Sequence, residues 1–485
     1  MLFSTTIFLF VFLPLVLAVY YNPVIRSRQF RNVFLLLASI FFYAWGEPFY
    51  VLLMLLSIVV NWGLGLLVDR YRAQPGERAA LVMTVVYNLG VLFLFKYLNF
   101  TVDNLNLLFR TDIRMPQIAL PVGISFYTFQ TLGYLIDIYR GKIQAERHLG
   151  YYALFVTFFP QLIAGPISRA GSLMPQLHEN AEFSYEGVTK GLKLMAWGYF
   201  KKLVIASSLA VYVDRIYDDL QSYAGFALLV AAVFYSIQIY CDFSGYSDIA
   251  IGCAKLFGKD LMINFRSPYF ASSIKEFWGR WHISLSTWFR DYLYFPLGGS
   301  RKGKARTYIN VLIVFALSGL WHGAAMKYVL WGLLFGVFQV IGGLLTPAKQ
   351  RLCAALHIPW DAGWLQIIRV IITFGLSTFA WIFFRADSAL QACAIIKRIV
   401  TAAGACFPLN LTHLGLTERA LNVLAVSLIG LVLTDIIGDR FPLREKLLET
   451  VWLRYAVWVI LLAVTAVCGA YGTGFNPQEF VYFQF

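Results

Sequence analysis

Phe49-Tyr-Val-Leu-Leu-Met-Leu-Leu-Ser-Ile-Val-Val-Asn-Trp-Gly-Leu-Gly-Leu-Leu-Val-Asp69 runs straight into Arg70, with Arg72 and Arg78 close behind. A helix that crosses a bilayer needs about 20 mostly apolar residues, and this run supplies them. Lysine and arginine collect in cytoplasmic loops, so the run reads as a span that ends inside the cell. The same reading extends in both directions. Residues 2–21 have no basic residue ahead of them and Arg26, Arg28 and Arg31 behind. A secretory leader carries its positive charge first, so this is read as an uncleaved span with an external N-terminus. Residues 32–45 go out, 49–69 return, 80–95 go out, and 120–138 return to Arg140, Lys142 and Arg147. Residues 151–164 are interrupted by Pro160 and closed by Gly165-Pro166. They read as a re-entrant element, because broken backbone at membrane depth must be buried in protein or line a cavity.

Further spans are expected at 189–213 and 226–241, with Asp214, Asp218 and Asp219 outside between them. Residues 255–306 hold ten basic residues (Lys255, Lys259, Arg266, Lys275, Arg280, Arg290, Arg301, Lys302, Lys304, Arg306) against Asp260, Glu276 and Asp291. This segment is placed in the cytoplasm. Spans at 308–320, 328–345, 365–384, 421–438 and 451–470 follow, which leaves the aromatic tail 471–485 outside. The expectation is an all-α polytopic membrane protein with twelve crossings and one re-entrant piece. No internal repeat or low-complexity linker interrupts the 485 residues, so 1–485 read as one membrane domain.

Composition agrees. Hydrophobic residues make up 59% and charged residues 14%, where soluble domains are roughly half apolar and about a quarter charged. That excludes a soluble globular enzyme, a disordered chain and a basic-patch nucleic-acid binder. The net charge of +14 is a statement about orientation in the membrane. Six cysteines (Cys241, Cys253, Cys353, Cys393, Cys406, Cys468) show no paired spacing and no C-x-x-C, so neither a disulfide scaffold nor a metal site is expected.

Two metalloprotease and hydrolase signatures, H-E-x-x-H and G-x-S-x-G, are absent. Gly252-Cys-Ala-Lys-Leu-Phe-Gly258-Lys259-Asp260 has one residue too many between its glycines for a phosphate loop, and an Asp where the magnesium-binding hydroxyl belongs. Histidine is scarce. His148, His178, His357 and His413 sit in polar or Pro/Gly-containing loops. His282 and His322 each follow a tryptophan, and His322 ends a short apolar run before Gly-Ala-Ala. Ionisable groups at membrane depth are costly and usually face a cavity. A hydrogen-bonded core role is the other reading of such an imidazole. Around His282 the run Glu276–Ser300 packs Trp278, Trp281 and Trp288 with Arg280, Arg290 and Asp291, which as plain structure is an interfacial amphipathic helix.

Arg280-Trp-His-Ile-Ser-Leu-Ser-Thr-Trp-Phe-Arg-Asp-Tyr-Leu-Tyr294, with Gly319-Leu-Trp-His-Gly323 about forty residues later, resembles the membrane-bound O-acyltransferase family in its bacterial polysaccharide-acetylating branch. Tyr43-Ala-Trp45, Leu120-Pro-Val-Gly-Ile-Ser-Phe-Tyr127 and Phe159-Pro-Gln-Leu-Ile-Ala-Gly-Pro166 add to the likeness. So do Tyr240-Cys-Asp-Phe-Ser-Gly-Tyr-Ser-Asp-Ile-Ala-Ile-Gly252, Trp381-Ile-Phe-Phe-Arg-Ala386 and the ending Phe480-Val-Tyr-Phe-Gln-Phe485. Gly279 departs from relatives that carry a second arginine there.

The resemblance implies a ring of about 11–13 transmembrane helices around a thin, funnelled centre, with re-entrant and cytoplasmic interfacial helices. It implies His322 as the family histidine and general base, and His282 as the second polar position, for donor positioning or oxyanion stabilisation. Acyl transfer from a thioester to a hydroxyl asks for a base at the hydroxyl and donors at the developing oxyanion, which suits two imidazoles. Asp242, Arg280 and Asp291, with Trp281 and Trp321, are supporting or donor-contact candidates; structural ion pairs are the alternative for the charged three.

The basic segment suits an acidic donor, acetyl-coenzyme A or an acyl carrier protein, with no bound cofactor or metal. The acceptor is expected to be an extracytoplasmic polysaccharide, alginate-like, reached through periplasmic acetyltransferase partners from the bacterial inner membrane. Peptidoglycan, cellulose and D-alanylated teichoic acid are alternative acceptors, and a non-enzymatic export channel is the alternative class. The tail invites one more expectation, that Tyr482 accepts the acyl group transiently; an interfacial aromatic anchor is the competing reading.

Overall fold

The computed structural model describes all residues except 25–26, 117, 181, 224, 403–416, 439–449 and 472–485. Every regular element among the described residues is helical. Eight helices there are long and apolar enough to cross a membrane: Tyr50–Arg70, Glu77–Phe109, Tyr185–Asp218, Phe226–Leu256, Met326–Ala355, Gly363–Arg385, Glu418–Gly438 and Val451–Cys468. A shorter apolar helix covers Phe8–Tyr20. The chain is a multi-pass membrane protein.

Each run expected to span does form helix, but four of the twelve fall short of the eight. The 2–21, 32–45 and 120–138 runs give helices of 17 residues or fewer, and 308–320 lies in Lys304–His322, whose first turn is basic. The helix Ile124–Tyr139 is buried along nearly its whole length, including Ser125, Thr128, Gln130, Thr131 and Asp137. Its polar side chains face protein, which an apolar run cannot reveal. The expected 226–241 span extends to Leu256, because Asp242, Ser244 and Ser247 are buried rather than placed at a water boundary.

The described residues divide into two compact units. The first comprises 1–196 with 246–262 and Tyr471. Phe3, Phe8, Phe12, Phe42 and Phe159 form an aromatic core there, and buried amides tie two long helices together, with Asn88 donating to Asn61 at 2.6 Å. Interhelical side-chain hydrogen bonds of this kind are the usual glue between helices in lipid. Residues 151–164 break as the sequence suggests, with helix Leu149–Thr157 interrupted at Phe158. Gln130 and Gln161 both donate to the Phe155 carbonyl, at 2.7 and 2.6 Å, so the carbonyl exposed by the break is paired inside protein.

The second unit comprises 197–245 and 263–470 among the described residues. Its centre is a helical hairpin, Lys304–His322 and Met326–Ala355, with Gly363–Arg385 packed beside it. The hairpin closes on glycine. A Cβ on Gly319 would fall 2.1 Å from the Tyr328 carbonyl oxygen, and one on Gly332 would fall 2.1 Å from the Phe315 carbonyl oxygen. Small residues at such crossings let helix backbones touch. His322, the last residue of the first arm, is fixed by this contact.

Candidate active site

Two local devices build the site, both within the second unit. The first lies between residues 263 and 294. Ser273 caps helix Ile274–Arg280 by accepting from the Glu276 N–H at 3.2 Å. The Glu276 carboxylate in turn accepts from the Ser272 N–H and hydroxyl at 2.8 and 2.7 Å. This is a close variant of the reciprocal Ser-x-x-Glu cap. One turn on, Glu276 pairs with Arg280 at 2.8 Å.

Helix Ile283–Phe289 begins almost at once, so the chain must turn within Trp281 and His282. It does so with Trp281 extended and His282 left-handed at φ 44° and ψ 53°. Left-handed backbone is uncommon for a residue with a side chain and persists only where its surroundings enforce it. Two cross-chain hydrogen bonds enforce it here: the Arg266 N–H to the Arg280 carbonyl and the Ile283 N–H to the Asn264 carbonyl, each 2.9 Å. Trp281 stacks on Phe277 with centroids 5.5 Å apart and meets Trp381 at 5.0 Å. His282 is left 1% exposed, its ring 4.7 Å from that of Phe243.

The second device is the glycine-closed hairpin. It brings the Trp331 ring perpendicular to His322 at 4.9 Å, with Trp321 at 5.0 Å and Phe384 at 5.6 Å. Together the two devices place the imidazoles of His282 and His322 face to edge, 6.4 Å between centroids, inside an aromatic cage. Trp321 lies 6.0 Å from His282, so it borders both rings.

Burial pushes the His282 imidazole down to about 3, because a charged ring finds no water there. At neutral pH it is an uncharged ring, able to donate from one nitrogen and accept at the other. His322 occupies the carbonyl end of a 19-residue helix, where the helix dipole favours a side chain that turns transiently cationic. The pair therefore sets an uncharged ring beside one that ends a helix at its carbonyl terminus.

The remaining sequence candidates divide. Trp281 and Trp321 belong to the cage. Arg280 is engaged by Glu276 and reaches the Ser267 carbonyl at 3.4 Å. Asp242, next to Phe243, forms a buried ion pair with Lys202. Asp291 pairs with its neighbour Arg290 at 3.0 Å, the arginine being exposed. Tyr482 lies outside the described residues. Among the described residues no group of three or more His, Cys, Asp or Glu side chains is placed to hold a metal ion.

Sequence reasoning passed over several residues. Lys201 and Lys202 fall in a π-helical stretch, Phe200–Ala206, and Lys201 donates to Ser244 at 2.7 Å. Asp435 accepts from the Tyr240 hydroxyl at 2.9 Å and, through its carbonyl, from Ser267 at 3.0 Å. Adjacent lysines inside an apolar run were the available signal, since π segments and buried charge both concentrate at functional sites. Trp331, Trp381 and Phe384 carried none, being ordinary aromatic residues in apolar helices.

Comparison with known proteins agrees with the resemblance drawn from the motifs. The model of MBOAT, the membrane-bound O-acyltransferase family, matches residues 146–383, which include both histidines. A probable alginate O-acetylase AlgI of Pseudomonas aeruginosa is 38% identical over 452 residues, covering 92% of this chain and 82% of the relative. A probable alginate O-acetylase AlgI of Pseudomonas syringae pv. tomato is 40% identical, covering 80% of this chain and 73% of the relative. A peptidoglycan O-acetyltransferase of Helicobacter pylori is 35% identical, covering 85% and 82%.

Proposed function

This chain belongs to the membrane-bound O-acyltransferase family and is an O-acyltransferase of polysaccharide acylation, and from that premise we propose that it moves acetyl groups from a cytoplasmic thioester to an extracytoplasmic polysaccharide, with His322 as the general base. The observation that carries the reading is the pair of buried imidazoles, edge to face with centroids 6.4 Å apart and bordered by aromatic rings.

His322 accepts the proton of the acceptor hydroxyl as its oxygen attacks the thioester carbonyl carbon. His282, held neutral, donates to the oxyanion that forms. The carbon–sulfur bond then breaks, and the His322 proton passes to the departing thiolate, so the base ends the cycle as it began. The aromatic walls keep water from competing for the acyl group.

Acetyl-coenzyme A or an acylated carrier protein is the donor on this reading, meeting the basic segment 255–306 on the cytoplasmic side of the bacterial inner membrane. An alginate-like polymer is the acceptor that the Pseudomonas relatives' names support, reached with separate periplasmic acetyltransferases. The Helicobacter relative supports peptidoglycan as the second acceptor. Residues 1–485 act as one membrane domain on this reading, and the attacking hydroxyl is that of Tyr482, whose acetyl ester is then taken by the periplasmic acetyltransferase, restoring the hydroxyl.

The test is His322→Ala in cells that make the polymer. O-acetyl ester on the exported polymer falls about 100- to 10,000-fold while protein level and polymer yield hold. Loss of export with residual ester intact would instead mark a channel.

A further inference from the structure

Helix Ile283–Phe289 has an unusual start. His282 occupies the seat that a capping residue normally fills, yet its side chain makes no cap hydrogen bond. Serine, threonine, aspartate or asparagine usually sits there, because its oxygen accepts from the first free N–H groups of the helix. An imidazole folded back to cap its own helix would be unavailable for chemistry.

The cap is supplied from another part of the chain. Asn264, 20 residues earlier and fully buried, accepts from the Ser284 N–H at 3.1 Å and the Ser284 hydroxyl at 2.9 Å through its side-chain oxygen. Its backbone carbonyl accepts from the Ile283 N–H at 2.9 Å. An N–H donor at Ser284 requires the oxygen of the amide at that position, so the orientation of the Asn264 side chain is fixed by its partners. Two residues along, the Arg266 N–H bonds the Arg280 carbonyl at 2.9 Å. The segment 264–266 therefore fastens the chain on both sides of Trp281-His282 and leaves the two between to bulge, His282 in left-handed backbone.

We propose that Asn264 is the positioning residue of His282: by capping helix Ile283–Phe289 from outside, it releases the imidazole from capping and fixes the left-handed turn that aims it. This rests on the reading of His282 as an oxyanion donor and adds the residue through which that donor is held. Asn264 touches no reacting atom on this account. Its effect passes wholly through His282, and a misplacement of about 1 Å at a donor costs on the order of a hundredfold in rate.

The side-chain NH2 of Asn264 has no hydrogen-bond partner among the described residues. Aspartate therefore keeps every accepted bond, and the helix N-terminus offsets part of the cost of burying its charge. The experiment uses the full-length chain in polymer-producing cells, reading O-acetyl ester per unit of membrane-inserted protein, with thermal melting of each purified variant in lipid nanodiscs. Asn264→Ala lowers ester content about 10- to 100-fold. Asn264→Asp retains at least half of it. In a His282→Ala background, Asn264→Ala produces no further loss, because residues that act as a unit are not additive.

Three results overturn the proposal. One is Asn264→Ala with more than half the wild-type ester. Another is Asn264→Asp as inactive as the alanine variant while melting like wild type. The third is a full additional loss in the His282→Ala background, which would mark a general folding role. If His282→Ala itself is fully active, the reading of His282 fails instead, and that outcome is distinct from the other three.

Discussion

Asp242 and Lys202 decide between two roles that the sequence left open, a donor contact and a structural ion pair. Their side chains are 7% and 6% exposed, so both charges are almost wholly withdrawn from water. Two unit charges 4 Å apart attract by about 4 kcal/mol at an effective dielectric of 20. Removing one takes its ion-pair partner from a buried charge, at a cost of about 3–5 kcal/mol. Asp242→Asn and Lys202→Met should each lose that much. The double variant Lys202→Met/Asp242→Leu should recover most of it, since buried pairs replaced by apolar side chains of similar volume are often neutral or better. Denaturation in nanodiscs measures the stability, and O-acetyl ester on exported polymer measures the function. If the pair is structural, the double variant regains both stability and ester. Recovered stability without ester would assign Asp242 to the donor. Single variants within about 1 kcal/mol of wild type would refute the reasoning, because a pair so buried cannot be halved without cost.

Other outcomes follow from the same geometry. Gly319→Val drives side-chain carbon into the Tyr328 carbonyl, so the hairpin must open; acetyl transfer is lost and the melting temperature falls, whereas Gly375→Ala, with nothing within 4 Å of its added carbon, leaves both unchanged. Ser273→Ala removes the cap of helix Ile274–Arg280 and lowers stability by about 1 kcal/mol, read by denaturation. His282 is neutral when folded, near 3, and titrates at its ordinary value, about 6.5, when unfolded. Its contribution to stability is therefore fully present above pH 6.5 and lost as pH falls toward 3. His282→Asn, which also tolerates left-handed backbone, removes that dependence, so the variant's melting temperature gains on wild type between pH 6.5 and 4. A constant gap across that window would show that the ring is not withdrawn from water.

The long apolar helices were legible because lipid-facing surface is written as composition: Tyr50–Arg70, Met326–Ala355 and Gly363–Arg385 fall on runs that hydropathy marks. The helix Ile124–Tyr139 was not, since its Ser125, Gln130 and Asp137 face protein, and a one-dimensional pattern cannot distinguish polar groups meeting water from polar groups meeting partners. The same blindness ended the 226–241 span fifteen residues early. Both histidines stood out because a rare ionisable residue beside tryptophan in an apolar chain has few uses, and the structure brings their rings together. Asn264 was not legible as part of the site, because its partners lie 20 residues away and their relation exists only once the chain has turned.

On the proposed reading the two imidazoles, alike as side chains, are separated in function by what holds them. His282 sits in a left-handed turn between two short helices, pressed against Phe243 and cut off from water, so it stays uncharged. His322 ends a 19-residue helix and meets its carbonyl terminus, which suits the positive charge that the proposed base would carry for part of each turnover. Exchanging the environments would therefore matter more than exchanging the side chains. A ring at position 322 without the glycine crossing, or at 282 without the external cap, keeps its chemistry but loses its aim. This is why Gly319 and Asn264, neither of them able to move a proton in this scheme, are expected to cost nearly as much activity as the histidines they hold.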